Sequence, residues 1–241
     1  MLIFPAIDII GGEVVRLTRG DYGAVKKYAM TPQEAAQSFY DGGARCLHAV
    51  DLDGAKSGNA DNAETVKQIL CSAPLFTEVG GGIRTTKQIE AYLSAGVGRV
   101  ILGTVAAKDP EFVKYAAKAY PSRIAVGVDA KDGKVAVNGW LEDTGMDSFD
   151  FCRTMRDIGV EYVIYTDISK DGALSGTNLA AYEKLSKIEG LNVTASGGVT
   201  YESEICALKE MGIYAVILGK ALYEKKITLQ SAIAAAGVQQ C

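Results

Sequence analysis

The 241-residue chain is poor in the residues that build metal centres and nucleic-acid grooves. It has one histidine, His48, and five scattered cysteines without a Cys-x-x-Cys pair, so the usual spacing of a zinc or iron site is missing. Lysine and arginine total 25 against 29 acidic residues, a net charge of −4, and no basic run occurs. Because binding a phosphate backbone requires a basic stripe, we expect neither a metal site nor a nucleic-acid partner.

Long hydrophobic runs are also missing. The N-terminal MLIFPAIDII is apolar, but it lacks a basic lead and carries Pro5 and Asp8, which favours a strand over a signal peptide. No apolar stretch approaches the length of a membrane span. We therefore expect a cytoplasmic protein without a membrane partner, in which the cysteines are reduced and mostly buried. These are Cys46, Cys71, Cys152, Cys206 and Cys241.

The chain does contain a regular alternation of short apolar runs and longer helical patterns. The runs show little polar alternation, as in parallel strands buried on both faces. Eight strand–helix units of about thirty residues each have the size of a βα module. We therefore predict an α/β fold, one (β/α)8 TIM barrel over residues 1–241, rather than a doubly wound sheet. The expected strands are 2–8, 45–52, 75–79, 99–102, 123–129, 162–168, 191–196 and 214–218.

The second half of the sequence repeats the first. VGGGIRTTKQIEAYLSAGVGRVILG at 79–103 aligns without a gap with ASGGVTYESEICALKEMGIYAVILG at 195–219. The sequence around Asp8 resembles that around Asp129, and DGAKSG resembles DGALSG further along. A solenoid would have a period of about 20–50 residues. Two half-barrels, approximately 1–120 and 121–241, are the simplest explanation.

Glycines follow four of the expected strands, where the βα loops of such a barrel form the active site. GGGIR and SGGV each precede a helix, and LGT and LGK follow the fourth and eighth strands. Backbone N–H groups and the helix dipole at these positions can bind phosphate; the alternative is that the glycines only make tight turns. Because the loops form two symmetric pairs, we predict two phosphate sites and a small-molecule substrate with a phosphate at each end.

Asp8 and Asp129 end the first and fifth strands, on opposite sides of the barrel mouth. A carboxylate at this position is costly unless it is solvated or used. Two carboxylates with separated pKa values can act as general base and general acid. The alternative is that both are caps or salt-bridge partners, but their equivalent positions favour a catalytic pair.

Other polar residues carry weaker arguments. Thr166 ends the sixth strand and Asp171 lies in the loop that follows. Trp140, the only tryptophan, either stacks on a flat ring or anchors a loop. Arg84 either meets a phosphate or caps a helix. His48 lies inside a strand beside apolar neighbours, so we expect a structural role for it.

Six segments cover most of these strand ends and loops: PAIDIIGGEVVRLTRGDY, LHAVDLDGAKSG, VGGGIR, TDISKDGALSG, TASGGV and LGKALYE. Together they resemble the phosphoribosylformimino imidazolecarboxamide ribotide isomerases of histidine biosynthesis. The resemblance implies a barrel with twofold internal repetition and an Amadori rearrangement of a substrate with two phosphoribosyl groups, aminoaldose to aminoketose. It also implies no metal and no organic cofactor, and we expect a monomer without an obligate protein partner.

The resemblance implies a role for each candidate residue. Asp8 would remove the proton from C2 of the ribose, and Asp129 would protonate the ring oxygen during ring opening. Asp171 and Thr166 would support them and contact the substrate, and Trp140 would stack near the imidazole. The other expected substrate-binding residues are Gly82, Arg84 and Thr104 at one phosphate, Gly176, Gly198 and Gly219 at the other, and Arg16.

Two loops after the first and fifth strands, 12–30 and 138–147, are flanked by glycine, and we expect lids that exclude water. In the second loop, Asn138 stands where a bifunctional branch that also isomerises phosphoribosylanthranilate has an arginine. Because a guanidinium would bind the anthranilate carboxylate in bidentate fashion, dual activity is not expected. Thr177 replaces a usual proline, which is expected to loosen the sixth loop.

Two alternatives remain. The sister cyclase of the same pathway also has paired aspartates and two phosphate sites, and it takes ammonia from a glutaminase docked on the bottom of its barrel. It usually shows Cys-Leu-Asp at the first strand end and a lysine soon after, where this chain has Ala6-Ile7-Asp8 and Arg16. A non-catalytic barrel that binds a phosphorylated metabolite would have no need of two opposed aspartates.

Overall fold

Eight parallel strands close on themselves in the computed structural model, which describes residues 1–18 and 20–237. Each strand hydrogen-bonds to two parallel neighbours in chain order, and the last pairs with the first from Leu2↔Ala215 to Pro5↔Leu218. Helices lie between the strands. The predicted (β/α)8 barrel is confirmed.

The barrel strands begin and end within two residues of the predicted ones. They are β1 (Leu2–Ile10), β4 (Cys46–Asp51), β5 (Phe76–Gly80), β6 (Arg99–Leu102), β7 (Ile124–Lys131), β10 (Tyr162–Asp167), β11 (Asn192–Ser196) and β12 (Ala215–Leu218). The remaining strands are β2 (Glu13–Thr18), β3 (Asp21–Lys27), β8 (Lys134–Val137) and β9 (Glu142–Asp147). The helices are α1 (Pro32–Asp41), α2 (Leu52–Ser57), α3 (Ala63–Ser72), α4 (Thr86–Ser94), α5 (Thr104–Lys108), α6 (Pro110–Ala119), α7 (Ser148–Asp157), α8 (Leu179–Leu185), α9 (Glu202–Glu210), α10 (Lys220–Tyr223) and α11 (Leu229–Ala236).

The predicted lid segment 12–30 contains an antiparallel hairpin, whereas 138–147 covers only the turn and second strand of a hairpin that begins at Lys134. β2 pairs with the end of β1, and β3 pairs with β2. In the same way β8 pairs with the end of β7, and β9 pairs with β8. Each hairpin therefore extends a barrel strand that carries one of the two aspartates. Their movement as lids stays a prediction.

The apolar side chains form two layers, because each barrel strand has one face inside the barrel and one toward the helices. The inner layer includes Phe4 of β1, Ile101 of β6 and Ile217 of β12, none more than 7% exposed. The outer layer packs strand residues such as Val100 against helix residues such as Ile89. A packed interior leaves the open end of the barrel as the place for a site.

The repeat in the sequence is also a repeat of element bounds. The residue numbers of β4, β5 and β6 plus 116 are those of β10, β11 and β12, and α4 is related to α9 in the same way. The proposed boundary near residue 120 lies in the connection between α6 and β7. The division into half-barrels stays a prediction with this regularity in its favour.

Two buried aspartates, Asp51 and Asp167, follow the same repeat. Asp51 accepts hydrogen bonds from Asn62 Nδ2 at 2.7 Å and from two backbone N–H groups. Asp167 accepts hydrogen bonds from Asn178 Nδ2, also at 2.7 Å, and from Ser169. Because a buried carboxylate needs such partners, each Asp–Asn pair orders the loop after its strand.

The expectation of reduced, mostly buried cysteines holds for only part of the set, since Cys46 is disulfide-bonded. Cys46 and Cys152 are buried, whereas Cys71 and Cys206 are exposed on helices. Cys241 lies outside the described residues. Among residues 1–18 and 20–237, no helix is long and apolar enough to span a bilayer, and no group of His, Cys, Asp and Glu is arranged to hold a metal ion.

Candidate active site

A cavity of about 300 Å3 lies at the carboxyl ends of the barrel strands. Eleven of the twelve predicted site residues line it: Asp8, Arg16, Gly82, Arg84, Thr104, Asp129, Trp140, Thr166, Asp171, Gly198 and Gly219. The twelfth, Gly176, is not among the lining residues; it is buried, with its carbonyl against Gly198. The structure thus brings the candidates together at one place, while their individual roles stay predictions.

Asp8, at the end of β1, is paired with Arg16 on the neighbouring strand β2. Arg16 Nη1 lies 2.6 Å from Asp8 Oδ2, and Nη2 donates to the carbonyl of Ala6 at 2.5 Å. The guanidinium also lies over the ring of Tyr223, 5.1 Å from its centroid. Burial opposes the charge of this guanidinium, but Asp8, Tyr223 and Asp171 together raise the pKa of Arg16 above its ordinary value. The carboxyl of Asp8 therefore takes part in a charge-assisted hydrogen bond with a permanent cation.

Asp129, at the equivalent end of β7, has neutral partners. Trp140 Nε1 donates to Asp129 Oδ2 at 2.8 Å, and the hydroxyl of Thr166 also hydrogen-bonds to this carboxyl. Burial raises the pKa of Asp129 despite these hydrogen bonds and the proximity of His48. A carboxyl in this state is suited to carry a proton.

Asp171, in the loop after β10, is a third carboxyl at the cavity. Burial, followed by repulsion from Asp8, raises the pKa of Asp171 to about 6, although Arg16 and Lys220 act in the opposite direction. The mouth therefore contains one carboxylate beside a cation and two carboxyls that favour protonation. Such separated environments are what acid–base catalysis by carboxyl groups requires.

The predicted lid residue Trp140 connects the two hairpins. Its ring occupies the space that a Cβ on Gly20 would fill. Trp140 also has a positive φ of 71°, an uncommon backbone conformation for a bulky residue. The ring is thereby placed at the cavity wall, between Asp129 and the hairpin that follows β1.

The glycine pairs of the third and seventh loops approach neighbouring backbone closely. A Cβ on Gly82, whose φ is +68°, would overlap the carbonyl of Gly54. A Cβ on Gly198, with φ +82°, would lie 2.7 Å from the carbonyl oxygen of Gly176. The turn explanation therefore accounts for part of the pattern, because only glycine fits these positions. It does not conflict with phosphate binding, since both residues also face the cavity.

Each half contributes one basic residue to the glycine loops, but at different positions. In the first half the basic residue is Arg84, and the equivalent position 116 residues later is Thr200. In the second half it is Lys220, and the equivalent position in the first half is Thr104. Lys220 Nζ donates to the carbonyl of Gly172 at 2.9 Å. Sequence reasoning missed Lys220 as a site residue, although the LGK motif placed it directly after the eighth strand.

His48 was expected to be structural, yet it lines the cavity. It alternates along β4 with Cys46 and Val50, which also face the barrel interior. Its Nδ1 lies 2.9 Å from Oε1 of Glu78. The period-two pattern of the strand, applied from Val50 backwards, would have placed His48 inside.

Fold and cavity define a barrel enzyme scaffold whose mouth holds carboxyl groups and two equivalent glycine loops. A family model described as histidine biosynthesis protein matches residues 2–228, and the chain belongs to that family.

Curated relatives match over nearly the whole chain. The chain is 46% identical over 233 residues to the 1-(5-phosphoribosyl)-5-((5-phosphoribosylamino)methylideneamino) imidazole-4-carboxamide isomerase of Brachyspira hyodysenteriae, covering 97% of this chain and 98% of the relative. It is 50% identical over 233 residues to the isomerase of the same name from Campylobacter hominis, covering 96% and 98%. For that of Clostridium acetobutylicum the identity is 47% over 234 residues, covering 97% and 98%. The resemblance inferred from the loop motifs is confirmed.

Proposed function

We propose that this chain is the aldose–ketose isomerase of histidine biosynthesis that its relatives are named for. Its substrate would be the imidazole carboxamide with two phosphoribosyl groups, and the reaction would be an Amadori rearrangement. Membership of the family and 44–50% identity to full-length isomerases support the activity. The observation that carries the mechanism is the contrast between Asp8 and Asp129, which line one cavity in opposite electrostatic surroundings.

In this mechanism Asp129 acts first, as the general acid. It donates a proton to the ring oxygen of the aminoaldose, the bond from C1 to that oxygen breaks, and the oxygen becomes the C4 hydroxyl. The electron pair of the exocyclic nitrogen forms a C1=N bond, which leaves a positively charged open-chain intermediate. Asp129 is left as a carboxylate, stabilised by the N–H of Trp140.

Asp8 then acts as the general base. It removes the proton from C2, and the electron pair forms a C1=C2 bond while the C1=N bond returns its electrons to nitrogen. Loss of the C2 hydroxyl proton and protonation of C1 give the ketose, so that no atom is gained or lost overall. Arg16 orients Asp8 for this step through a charge-assisted hydrogen bond of 2.6 Å.

Asp171 is the residue best placed to assist either proton transfer. Burial and the repulsion between Asp171 and Asp8 raise the pKa of Asp171 to about 6. This pKa lies near neutral pH. A group with such a pKa exchanges protons efficiently under those conditions. We assign it substrate contact and support of the pair.

The two ends of the substrate would be bound by the two glycine loops. One phosphate would lie at Gly82, Arg84 and Thr104, and the other at Gly198, Gly219 and Lys220, with Gly176 supporting Gly198 from behind. Backbone N–H groups would supply most of the hydrogen bonds, and each site has one basic side chain. We also propose that the protein is a cytoplasmic monomer. It would need no metal, cofactor, nucleic acid, membrane or obligate protein partner.

The packed barrel interior favours this proposal over the sister cyclase. Ammonia delivered at the bottom of the barrel would have to pass through the interior to reach the cavity. That route is filled by Arg99, whose guanidinium lies 3.6 Å from the ring centroid of Tyr162, and by the Phe4–Phe76 contact. A non-catalytic metabolite-binding barrel is disfavoured by the differently held carboxyl groups of Asp8 and Asp129.

The deciding experiment measures turnover of the two-phosphate aminoaldose by the purified protein, beside Asp8→Asn and Asp129→Asn. We expect metal-independent turnover, insensitive to EDTA, that falls about 10²–10⁴-fold in each variant. Quenching of the single tryptophan on titration with substrate shows whether binding persists. Phosphoribosylanthranilate is the specificity control and should not turn over. Tight binding without turnover by the wild type would overturn the proposal in favour of a metabolite-binding barrel, and ammonia-dependent cyclisation would indicate the sister enzyme.

A further inference from the structure

A row of polar side chains crosses the barrel interior directly below the cavity. Strand register places Ala6, His48, Glu78 and Arg99 side by side on four neighbouring strands. Glu78 is 0% exposed and uses both carboxylate oxygens: Oε1 lies 2.9 Å from His48 Nδ1, and Oε2 accepts from Arg99 Nη1 at 3.2 Å. The proposed mechanism uses none of these three charged or titratable groups.

Stability alone is a poor explanation for this row. Burying an ion pair costs desolvation energy that its attraction often fails to recover, and apolar replacements are frequently as stable. Other inner-layer residues are uncharged, including Ile101, Ile164, Ile217 and the buried Thr194. His48, at one end of the row, lines the cavity, and its side chain is 12% exposed. It is also close enough to Asp129 to influence the pKa of that carboxyl.

The partners of Glu78 determine the state of the imidazole. An ionised carboxylate only accepts hydrogen bonds, so the proton on His48 must lie on Nδ1, which faces Glu78. In the neutral ring the other nitrogen, Nε2, is then an acceptor. Arg99 balances the charge of Glu78, and its own guanidinium lies against the ring of Tyr162.

We propose that Glu78 is a positioning residue for the isomerisation: it holds His48 as the Nδ1–H tautomer, so that Nε2 accepts a hydrogen bond from a hydroxyl of the sugar bound beside Asp129. This inference rests on the proposed function for the identity of the sugar. Nδ1 is engaged with Glu78, and Nε2 is the polar atom of the ring left for a ligand in the cavity. Arg99 is the counter-charge that makes the arrangement possible.

The first test is the tautomer itself. The sequence has one histidine, so protein labelled with 15N-histidine and freed of any tag gives a single pair of ring-nitrogen signals. In spectra recorded at a pH where the ring is unprotonated on one nitrogen, we expect the Nδ1–H pattern in the wild type. Glu78→Gln should change it to Nε2–H or to a mixture, because the amide can donate to Nδ1. An Nε2–H ring in the wild type, or an unchanged pattern in Glu78→Gln, would overturn the inference.

The second test is kinetic and uses matched variants. Glu78→Gln should lower kcat/KM about 10–100-fold, the usual effect of removing the partner that orients a functional histidine. The double variant Glu78→Gln with Arg99→Met leaves no unpaired buried charge, and it should remain equally impaired if folding is not the cause. His48→Gln can place an acceptor near the position of Nε2, and we expect it to retain more activity than His48→Asn, which is too short.

The two proposals fail in different ways. An inactive wild type would contradict the proposed function, whatever the state of His48. An active wild type in which His48→Gln and His48→Asn are equally active, or in which Glu78→Gln keeps full kcat/KM, would contradict this inference alone. A loss that is restored in the charge-neutral double variant would assign the row a structural role.

Discussion

The two halves of the barrel share a backbone but not an electrostatic environment. Asp8 and Asp129 end equivalent strands, and each is followed by a hairpin that contributes one hydrogen-bond donor to it. In the first half this donor is the cation Arg16, and in the second it is the neutral N–H of Trp140. A duplicated framework thus places two carboxyls at equivalent strand ends, while one residue in each hairpin gives each carboxyl a different hydrogen-bond partner.

The largest expected effect comes from breaking this difference at Arg16. Arg16→Met removes the cation beside Asp8, so the carboxylate form loses its stabilising partner. We expect kcat/KM at pH 7 to fall about 10²-fold, within the range for positioned acid–base groups. The control is Lys26→Met on the same hairpin, which removes the ion pair of Lys26 with Glu224 and should leave kcat/KM unchanged. An unchanged kcat/KM in Arg16→Met would separate Arg16 from the proton transfer.

The pH dependence of the free energy of unfolding tests the electrostatic surroundings of a third carboxyl, that of Asp171. The pKa of Asp171 is raised by burial and by Asp8 to about 6, from an ordinary value of 3.8. The folded state therefore binds the proton more tightly than the unfolded state, and this contribution to stability is lost as pH rises from about 4 to 6. Asp171→Asn removes the cost of the charged form. We expect its free energy of unfolding to exceed that of the wild type by up to about 3 kcal/mol at pH 8.

Chemical denaturation at pH 8 and pH 4 measures this effect, and the gain should disappear at the lower pH. Asp41→Asn, on the exposed end of α1, is the matched control and should differ little between the two pH values. Activity of Asp171→Asn should fall while its stability rises. A variant that is destabilised at pH 8 would show that hydrogen bonding of the carboxylate outweighs its burial.

The two basic residues of the glycine loops test the comparison at the phosphate ends. Lys220→Met should raise KM about 10-fold or more, because Lys220 is partly buried and hydrogen-bonded to Gly172. Arg84→Met should raise KM less, about two- to fivefold, because Arg84 is exposed and makes one long hydrogen bond of 3.4 Å to Ala55. Steady-state kinetics of both variants, with Lys209→Met as a control away from the cavity, checks the order. Equal effects would indicate that the two phosphate sites are equivalent.

The smallest expected difference lies between Asp51→Asn and Asp167→Asn. Each variant weakens one buried Asp–Asn pair and should lower the free energy of unfolding by about 1–3 kcal/mol. Because each carboxylate accepts a hydrogen bond of 2.7 Å from an asparagine Nδ2, we expect the two losses to agree within about 1 kcal/mol. Because the sites are distant, the double variant should show their sum. Urea denaturation measures all three.

Much of the barrel could be predicted from the sequence because of how its strands are buried. Strands covered on both faces are continuous apolar runs, and this is why β6, for example, was placed at 99–102 without error. The hairpins lack such a signal. β3 is exposed at almost every residue, so its sequence looks like a loop, and its strand geometry depends on pairing with β2.

The site was predictable where the repeat marked it and obscure elsewhere. The glycine pairs recur 116 residues apart and the two aspartates, Asp8 and Asp129, recur 121 residues apart, and all face the cavity. Glu78 and Arg99 do not recur, and charged residues inside a strand look exposed until the register of neighbouring strands brings them into contact. Gly176 belongs to the repeated segment DGALSG, but it lies behind Gly198 and does not line the cavity. A sequence pattern does not distinguish a residue that faces a cavity from one directly behind it.

The row of polar groups in the barrel interior belongs entirely to the first half. The positions 116 residues after His48, Glu78 and Arg99 are Ile164, Thr194 and Ala215, all uncharged. A chain made of two copies of residues 1–120 would bury two glutamates and two arginines around one axis, where like charges face each other. A chain made of two copies of 121–241 would close around an uncharged axis. The second half is therefore the better starting material for building a symmetric protein by duplication.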